Sequence, residues 1–435
     1  MSEGSLRAER TVAVEGIARV EGEGSLRAVV RDGSVSDVEL TIFEPPRFFE
    51  ALLQGRDRLE PPDITARICG ICPVAYQMSS CRAVEDALGI DVGPDIAALR
   101  RLLYCGEWIQ SHALHVTLLH APDFFGCADA VELASLDSAA VERALRLKRV
   151  GNLVMETVGG RAVHPVNVRV GGFYRAPTRE EVGALEGPLR EALDLARKTV
   201  EWTSGFDFPD VTGDYLFVAL HDPDRYAIDS GRVVSSAGLD TDAAGFLEAA
   251  VEEHVERSTA LHSRLFGRDE YLTGPLARFA LNEGQLGPAA RRAATGAGLV
   301  GACRNPFRSI VVRSVELVEA CEQALGIVGS YAPPAPGAVE VPARAGTGAG
   351  ATEAPRGLLL HRYEIGPDGL IDAARIVPPT AQNQLSIEAD LRRVVERGLE
   401  LSDSALAARC EQAVRNHDPC ISCAAHFLDV EVVRT

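Results

Sequence analysis

Lysine is almost absent from this chain of 435 residues, since Lys148 and Lys198 are the only two. Arginine therefore supplies nearly all the positive charge, and 44 basic residues face 62 acidic ones, which leaves a net charge of −18. A strongly acidic surface repels phosphate groups. The composition thus argues against nucleic acid and against an anionic membrane surface as partners.

Long apolar runs are missing as well. No stretch of about 18 or more uninterrupted apolar residues occurs, so the sequence predicts no helix that spans a membrane. Hydrophobic residues make up 46% and charged residues 24%, as in ordinary globular proteins. The start of the chain shows no signal peptide, and with ten cysteines in 435 residues we expect a reducing compartment rather than a disulfide framework.

What the chain does have is two short cysteine pairs, one near each end. They stand in Arg67-Ile68-Cys69-Gly70-Ile71-Cys72-Pro73 and in Asp418-Pro419-Cys420-Ile421-Ser422-Cys423-Ala424-Ala425-His426. Each Cys-x-x-Cys spacing lets two sulfurs point at one centre, and four thiolates form a ligand set for a soft metal ion. Compact zinc modules separate their pairs by roughly 12–20 residues, whereas nearly the whole chain lies between these two. The spacing favours a catalytic or redox metal, with structural zinc and dithiol or disulfide chemistry as alternatives.

Hydrophobic patterns predict a small sheet at the start and helices after it. Apolar alternation over 11–44 around the Asp32-Gly33 turn predicts a hairpin. The motif Thr178-Arg179-Glu180-Glu181 is typical of a capping box, and Pro188 should kink or split the helix that follows. Helical spacing predicts further helices over 74–88, 95–121 and 138–158.

The second half of the chain mixes both patterns. We expect a peripheral α/β segment without chemistry over 207–285, and the proline, glycine and alanine of 332–352 predict a loop. A hairpin should follow, with Arg356 at its root and Pro378 at its tip, and then a pair of helices over 386–415. Together these patterns predict a mainly α fold with small β-sheets (α+β), in which a helical core carries peripheral hairpins.

The two cysteine stretches resemble the first and last motifs of the large subunit of [NiFe]-hydrogenases, Arg-x-Cys-Gly-x-Cys and Asp-Pro-Cys-x-x-Cys-x-x-His. Other stretches match family motifs in the family's order: Arg19-Val20-Glu21-Gly22, Gly159-Gly160-Arg161 with His164-Pro165 and Gly171-Gly172, and Glu353-Ala354-Pro355-Arg356-Gly357. The resemblance runs from end to end of the chain. It implies the family's fold and the interconversion of hydrogen with protons and electrons.

Two further stretches are most similar to the cytoplasmic sulfhydrogenase type within that family. They are Phe43-Glu44-Pro45-Pro46-Arg47-Phe48-Phe49-Glu50 and Val377-Pro378-Pro379-Thr380-Ala381-Gln382-Asn383. This likeness implies a cytoplasmic enzyme linked to NADP(H), with polysulfide reduction as a side activity. The chain has no cysteine set for iron–sulfur clusters beyond the four motif cysteines. Electrons would therefore leave through an iron–sulfur small subunit and then through diaphorase subunits that bind flavin and NAD(P)H.

The resemblance implies a nickel–iron centre on the four motif cysteines. Cys69 and Cys420 would be terminal ligands to nickel, while Cys72 and Cys423 would bridge nickel and iron. Thiolates suit this role because they are soft donors and can leave one metal position open. In the family, the iron also carries carbon monoxide and cyanide.

An arginine and a pair of prolines match the family's cyanide-binding region. Without its motif, Arg356 would be taken for a surface or ion-paired arginine. After Pro355, it matches the family arginine that hangs over the two metals and binds cyanide, a task that suits a rigid planar donor. The other cyanide-facing stretch matches Val377-Pro378-Pro379-Thr380. Many relatives carry Ser or Thr where Pro379 stands, so the resemblance does not extend to a side-chain hydroxyl at that position.

A proton relay is implied by the first motif. Taken alone, Glu21 would be a solvated carboxylate at the end of a strand. In Arg19-Val20-Glu21-Gly22 it matches the family's relay glutamate beside a nickel thiolate, where a carboxyl group can exchange protons with the sulfur. Glu23 stands where many relatives have histidine, which would alter the outer steps of the relay.

Four more residues take expected roles from the resemblance. Glu50 and His426 match residues around a buried magnesium ion, which prefers oxygen ligands. Asp123 and Asp418 match acidic residues close to the centre, and Asp418 is also expected to cap the helix start at Pro419. The remaining candidates are read as structural or supporting groups: His112, His115, His120 and His164, and as small buried apolar residues Cys81, Cys105, Cys127, Cys303, Cys321 and Cys410.

In the family the large subunit is made as a precursor and trimmed just after the last histidine. Nickel-insertion proteins and a maturation endopeptidase would be partners, and removal of 427–435 would leave one domain over 1–426. One alternative function is that of a hydrogen-sensing regulatory subunit, which keeps the same ligands and usually lacks a cleavable tail. Another is that of the related quinone-site subunit of respiratory complex I, which typically lacks the four cysteines.

Overall fold

The protein is described by a computed structural model that covers residues 9–45, 47–267 and 270–425. The α-helices are α1 (Phe49–Leu53), α2 (Pro61–Thr65), α3 (Pro73–Ala87), α4 (Gly93–Ala113), α5 (Pro122–Phe125), α6 (Ala130–Leu136), α7 (Ser138–Gly159), α8 (Arg179–Gly183), α9 (Glu186–Ser204), α10 (Ala243–Ala249), α11 (Pro275–Asn282), α12 (Pro288–Gly296), α13 (Ser309–Ser330), α14 (Pro379–Arg397), α15 (Asp403–Asn416) and α16 (Ile421–Ala424). Short 3-10 turns occupy Ala66–Ile68, Glu283–Gln285 and Pro306–Arg308, and a π-helical turn occupies Leu114–His120.

The strands form small antiparallel sheets. They are β1 (Glu9–Val14), β2 (Gly24–Arg31), β3 (Ser34–Ile42), β4 (Val168–Arg169), β5 (Gly172–Phe173), β6 (Val218–His221), β7 (Arg232–Ser235), β8 (Asp240–Thr241), β9 (Ala250–Glu253), β10 (His262–Leu265), β11 (Gly346–Ala354), β12 (Gly357–Ile365) and β13 (Ile371–Val377). Within each sheet the strands follow chain order, in the groups β1-β2-β3, β4-β5, β6-β7-β8, β9-β10 and β11-β12-β13. The predicted α+β fold, mainly helical with small sheets, is confirmed.

Long helices α4, α7, α9 and α13 make the centre of the core. Two glycines bring α4 and α7 together, because a Cβ on Gly151 would lie 2.6 Å from the carbonyl oxygen of Gly106 and from the amide nitrogen of Gln110. Trp108 on α4 is fully buried in this packing. The helical core is therefore a close-packed framework on which the two chain ends can meet.

Among the described helices, none is long and apolar enough to cross a membrane.

Most helices and turns lie where the sequence predicts them. The turn between β2 and β3 uses Asp32 and Gly33, both with positive φ, as the hairpin signal requires. The capping box is present, since the Thr178 hydroxyl accepts from the Glu181 amide and the Glu181 carboxylate accepts from the Thr178 amide. The helix beyond it is split between α8 and α9, just before Pro188. The predicted helix over 95–121 ends as an α-helix at Ala113 and continues as the π-helical turn.

The expectation of a loop over 332–352 is wrong in its last third, because residues from Gly346 onward form β11. This strand lies directly on the backbone of α3. A Cβ on Gly346 would meet the carbonyl oxygen of Ala87 at 2.0 Å, and one on Gly348 would meet the amide nitrogen of Ala87 at 2.1 Å. Glycine inside a strand marks such a close approach of two backbones. The glycines that suggested a linker are therefore packing residues.

The expected placement of Arg356 and Pro378 at opposite ends of a hairpin is also wrong. Arg356 lies in the tight turn between β11 and β12, and Leu360 near the start of β12 pairs with Val377 at the end of β13. An antiparallel hairpin brings its first and last residues together, so Arg356 and Pro378 share one end of the sheet. Helix α14 then begins at Pro379, earlier than the predicted start at 386, because proline suits the first helical position.

Candidate metal centre

The four motif cysteines meet in the interior of the protein. Their sulfur atoms all lie within 4.8 Å of one another, and the Sγ atoms of Cys69 and Cys420 are 3.5 Å apart. Each of the four residues is at most 2% exposed. The two ends of the chain, 351 residues apart, therefore supply one buried cluster of donors.

Local backbone geometry prepares the first pair. Cys69 follows the 3-10 turn Ala66–Ile68 in an extended conformation, and its sulfur accepts hydrogen bonds from the amides of Ile71 and Cys72 at 3.3 and 3.2 Å. Cys72 then caps α3, where Pro73 takes the first helical position. The two thiols thus sit on one turn that opens a fifteen-residue helix.

Side chains of helix α4 support the turn that carries Cys69 and Cys72. The buried carboxylate of Glu107 accepts from the amides of Val74 and Ala75 at 2.6 and 3.1 Å, at the positive end of the α3 dipole. Gln110 donates to the carbonyl of Ile71 at 2.7 Å, and Lys148 donates to Gln110 at 3.2 Å. Burial raises the pKa of Glu107 well above its usual value. Lys148, one of the two lysines in the chain, therefore supports the first cysteine turn.

Contacts from distant parts of the chain hold the second pair. The amide of Cys420 donates to the hydroxyl of Thr380 at 2.9 Å, and the amide of Ile421 donates to the carbonyl of Glu21 at 2.9 Å. Asp418 adopts a positive φ of 52°. The expected helix cap by Asp418 is wrong, since Cys420 occupies the cap position of α16 and the Asp418 carboxylate binds Arg356 instead.

Glu21 reaches the second pair directly. Its Oε2 accepts a hydrogen bond from the sulfur of Cys420 at 3.2 Å and another from the amide of Ser422 at 3.0 Å. The carboxyl group is only half-buried, although Cys420 itself is buried. Glu21 therefore links an interior thiol to the outer part of the protein.

Arg356 faces the cluster from the turn between β11 and β12. Its Nε donates to the carbonyl of Asp418 at 2.9 Å and its Nη2 to Oδ1 of Asp418 at 3.1 Å. The guanidinium is 2% exposed, and its Nη1 has no hydrogen-bond partner among the described residues. Burial lowers the pKa of an arginine, but Asp418 and the nearby thiolates raise the pKa of Arg356 well above its usual value. It therefore remains a cation with one free donor.

Two further buried arginines fix the turn that carries Arg356. The carbonyl of Pro355 accepts from Arg278 at 3.0 Å and from Arg313 at 3.2 Å. Arg278 also donates to the carbonyl of Ala354 at 2.9 Å. The sequence pattern predicted no chemistry over 207–285, the segment that contains Arg278. An arginine inside the apolar run Leu276-Ala277-Arg278-Phe279-Ala280 was the available signal.

Carboxylates balance these arginines. Glu316 receives two hydrogen bonds from Arg278, at 2.7 and 2.8 Å, and Glu353 receives one at 3.1 Å. Burial would raise the pKa of Glu316, but the charge and hydrogen bonds of Arg278 hold it well below its ordinary value. Burial dominates at Glu353 and raises its pKa to about 7, against the opposing charge of Arg278. The two carboxyl groups that bind Arg278 therefore differ widely in pKa.

The same contrast separates the four thiols. Burial opposes ionisation at Cys69, but hydrogen bonds from the thiols of Cys420, Cys423 and Cys72 and the charge of Arg356 lower its pKa well below the usual value. Burial raises the pKa of Cys420 and Cys423. Four buried thiolates beside the single charge of Arg356 would leave an excess of negative charge, which a bound metal ion would balance.

Asp123 joins the two ends of the chain. Its Oδ1 accepts from Arg19 at 2.5 Å and from Arg415 at 2.8 Å, and its Oδ2 accepts from Arg415 at 2.8 Å. Arg19 precedes Glu21, and Arg415 lies at the end of α15 just before the second cysteine motif. Asp123 thus ties the two segments that meet at the centre.

The expected magnesium site is described only in part. Oε1 of Glu50 accepts from the amide of Ile376 at 2.6 Å, beside Val377. His426, the tail 427–435 and Pro46 lie outside the described residues. Val377 and Pro379 are buried where β13 leads into α14, and the next hydroxyl along the chain is that of Thr380.

The other histidines and cysteines make structural contacts. Nε2 of His112 lies 3.1 Å from Glu316, and His164 bonds the carbonyl of Ala66 at 2.8 Å. Burial lowers the pKa of His112, His115 and His120. All ten cysteines are buried, as predicted for the six outside the motifs, and no disulfide joins any of them within the described chain.

The donor set fits a soft metal ion. Four buried sulfurs converge, the charge of Arg356 acts on them while its Nη1 has no hydrogen-bond partner among the described residues, and the carboxyl group of Glu21 accepts from one of the thiols. Thiolate ligands with this geometry suit nickel, iron or zinc.

Comparison with known proteins shows the family. The sequence profile described as nickel-dependent hydrogenase matches residues 47–152. Sulfhydrogenase 1 subunit alpha of Pyrococcus furiosus is 32% identical over 421 residues, which cover 96% of this chain and 98% of that protein. The chain belongs to the nickel-dependent hydrogenase large-subunit family. Sulfhydrogenase 2 subunit alpha of the same organism is 35% identical, with 96% and 99% coverage.

Solved structures agree with this family. The crystal structure of an NAD+-reducing [NiFe]-hydrogenase in the H2-reduced state matches with a TM-score of 0.84 at 26% identity, covering 96% of this chain and 99% of that one. A [NiFeSe] hydrogenase from Desulfovibrio vulgaris Hildenborough shares the fold, with a TM-score of 0.74 at 23% identity. The chain is therefore a catalytic large subunit of a [NiFe]-hydrogenase, and its four-cysteine group fits a nickel–iron centre.

Proposed function

We propose that this chain carries out the reversible oxidation of H2 to protons and electrons at a nickel–iron centre on Cys69, Cys72, Cys420 and Cys423. The observation that carries the proposal is the buried cluster of four sulfurs faced by a partnerless arginine nitrogen. A metal pair bound there would supply an open, electron-rich position at which H2 is split. The surrounding residues would hold the metal pair in place and transfer protons.

The donor types support specific roles. Cys69 and Cys420 would be the terminal ligands to nickel, while Cys72 and Cys423 would bridge it to iron. Carbon monoxide and cyanide on the iron would complete the centre. The free Nη1 of Arg356 is suited to donate to a cyanide nitrogen, because it is buried, cationic and without another acceptor.

Positioning residues prepare this arginine. The carbonyl of Pro355 is held by two guanidinium groups, and Asp418 binds Arg356 at both Nε and Nη2. Val377, Pro378 and Pro379 would form the second wall around the cyanides. Asp123 would act at a distance, by holding Arg415 and Arg19 in the two segments that carry Cys420 and Glu21.

Proton movement would begin at Cys420. Its sulfur donates to Oε2 of Glu21 at 3.2 Å, so a proton received by the sulfur has a carboxylate acceptor within hydrogen-bond range. Since Glu21 is half-buried, it can pass the proton outward. Glu50 and His426 would hold a magnesium ion, for which the carboxylate of Glu50 is a suitable oxygen ligand.

The names of the relatives support the electron route that we propose. The sulfhydrogenase alpha subunits and the NAD+-reducing structure support transfer through an iron–sulfur small subunit to a diaphorase module with flavin and NAD(P)H. NADP is the carrier we propose, and the cytoplasm the location. Nickel-insertion proteins and a maturation endopeptidase would complete the enzyme, with cleavage after His426 leaving the single domain 1–426.

The direct test is the metal content of the complex purified with its natural partner subunits and maturation proteins. About one nickel per large subunit, together with H2-dependent reduction of a dye, is the expected result. Zinc alone in the four-cysteine site would contradict it. Iron without nickel would mark a precursor, in which case the intact mass must still include residues 427–435.

A further inference from the structure

Helix α1 carries apolar side chains on two sides. Phe49 and Leu53 are buried in the core, at 9% and 0% exposure. Phe48, which caps the helix, and Leu52 are 39% and 47% exposed, and Ala51 beside them is exposed as well. Residues three and four apart share one side of a helix, so these three form a single patch, which we call the α1 face (Phe48, Ala51 and Leu52). A helix with apolar side chains on two sides normally buries both.

The start of the α1 face is held in a strained conformation. Phe48 has a φ of 53°, in the left-handed region that large side chains rarely adopt. Its carbonyl accepts from the amide of Leu52 at 3.0 Å, which closes the first turn of the helix. Backbone strain of this kind is kept where surrounding contacts require it, often at sites that hold a ligand. The exposed phenylalanine is therefore a fixed part of the fold.

The described chain ends beside the α1 face. The carbonyl of Ala425 accepts from the amide of Arg47 at 3.0 Å, and Arg47 directly precedes Phe48. The side chain of Arg47 also donates to the carbonyl of Ser422. Residues 427–435, the tail, therefore begin near the residue that leads into the face. An extended chain spans about 3.3 Å per residue, and Phe48 and Leu52 are about 6 Å apart along the helix, so a few tail residues suffice to cross the face.

The sequence of the tail suits an apolar surface. Leu428, Val430 and Val432 alternate with Asp429 and Glu431. Such alternation is typical of an extended segment with one apolar side, and valine favours that conformation. The tail thus offers three apolar side chains to one surface and keeps its acidic residues on the other side.

The charge beside the α1 face complements that of the tail. Arg56 is exposed, its Nε donates to the carbonyl of Leu52 at 3.4 Å, and it makes no ion pair within the described part of the chain. Asp57, the next residue, already binds Arg58 at 3.2 Å. Arg56 is therefore available to an acidic residue of the tail.

We propose that the tail docks on the α1 face of the same chain. Its apolar side packs on Phe48 and Leu52, and one of its acidic residues pairs with Arg56. Docking requires neither a metal nor cleavage, so the inference goes beyond the proposed function. Cleavage after His426, as proposed above, then uncovers the face.

The test uses the full-length chain, produced without maturation proteins and with an intact mass that includes residues 427–435. The photoreactive amino acid p-benzoylphenylalanine is placed at Val430, and cross-linked peptides are identified by mass spectrometry. We expect a cross-link within one chain to the peptide that contains residues 48–56, with a yield independent of protein concentration. The same probe at Glu431 should give at most about one fifth of that yield, because successive side chains of an extended segment point to opposite sides.

Variants of the α1 face test whether it is the docking surface. Leu52→Ser should lower the yield of the cross-link at least about fivefold, because it removes an apolar partner. Arg56→Gln should lower it about twofold at low salt and less at high salt, as for an exposed ion pair. Leu136→Ser, which changes a side chain of α6 that is 65% exposed, is the matched control and should leave the yield unchanged. Should circular dichroism show that Leu52→Ser alters the fold, Phe48→Asn, which tolerates a positive φ, decides by the same criterion.

Two kinds of result would overturn the inference. One is the absence of a cross-link to residues 48–56, or a yield that neither Leu52→Ser nor Phe48→Asn lowers. The other is a cross-link that joins two chains and rises with concentration, which would assign the face to a second copy. Neither result depends on nickel or on H2 turnover, so the proposed function would stand, and the metal content of the assembled complex tests that function separately.

Discussion

The two cysteine pairs are held in different ways. Cys69 and Cys72 lie at the start of a fifteen-residue helix, and neighbouring helix α4 supports them through Glu107 and Gln110. Cys420 caps a helix of four residues that contains Cys423, and its support comes from residues far away in the chain. We call the backbone around each cysteine pair, with the residues that support it, the first seat (Cys69 and Cys72) and the second seat (Cys420 and Cys423). The first seat is part of the helical core, whereas the second is assembled by long-range contacts.

The chemistry of the supports differs too. Backbone amides, a carbonyl and one carboxyl group hold the first seat. Around the second, the buried charges of Arg278, Arg313 and Arg356 face Glu316, Glu353 and Asp418. A buried ion network costs desolvation and holds geometry only while every member is present. The second seat should therefore be the more sensitive of the two to single substitutions and to pH.

The largest effect is expected at the second pair itself. Cys420→Ser replaces a soft sulfur with a hard oxygen and removes the partner of Glu21. H2-dependent dye reduction should be abolished and nickel content should fall. Cys410→Ser, which changes a buried cysteine of α15 outside the motifs, is the control and should keep both. Retained activity in Cys420→Ser would reject the assigned ligand set.

The charge network gives the next largest effect. Arg278→Met leaves Glu316 and Glu353 buried without their cation and frees the carbonyls that fix the Arg356 turn. Loss of one partner from a buried ion network costs about 3–5 kcal/mol in the free energy of unfolding. Urea-induced unfolding should show this loss. Arg304→Met, which removes an exposed pair with Asp214, should change stability by less than about 1 kcal/mol, and equal losses would contradict a special role for Arg278.

The sequence predicted the structure around the first cysteine pair more fully than the structure around the second. Cys-x-x-Cys before a proline and an apolar periodic stretch predicts a helix with both thiols at its start, and α3 has that form. The partners of the second pair are remote, and a sequence carries no local signal of which distant residue will meet it. Arg278 and the contact of Thr380 with the Cys420 amide were missed for this reason, although the resemblance pointed to Glu21 and Arg356.

Two errors have a common physical cause. Glycine-rich composition in β11 predicted a loop, because glycine serves both flexible chain and close backbone contact, and only packing on α3 distinguishes them. Asp418 before a proline predicted a helix cap, because the aspartate is a good cap in isolation. In the folded protein Arg356 binds that carboxylate, and a buried ion pair outweighs a cap. Tertiary contacts thus decided both cases.

The network should also make stability depend on pH near neutrality. Burial raises the pKa of Glu353 from 4.5 to about 7 in the folded protein. Between these values the folded state holds a proton that the unfolded state has released, so the free energy of unfolding decreases as pH rises through this window. Glu353→Gln removes the titration. Its stability relative to wild type should therefore increase from pH 5 to pH 8, by up to about 3 kcal/mol. A difference that is constant with pH would contradict the raised pKa.

The smallest effect should separate the two seats most cleanly. Thr380→Val keeps the shape of the side chain and removes the acceptor of the Cys420 amide, at a cost of about 1 kcal/mol. Amide hydrogen exchange should then quicken at Cys420 and Ile421, with Val74 and Ala75 unchanged. Glu107→Gln should give the reverse pattern, because one oxygen remains for two amides of the first seat. If either substitution quickened exchange at both pairs equally, the two seats would open as one unit, and the distinction between a seat within the core and an assembled seat would fail.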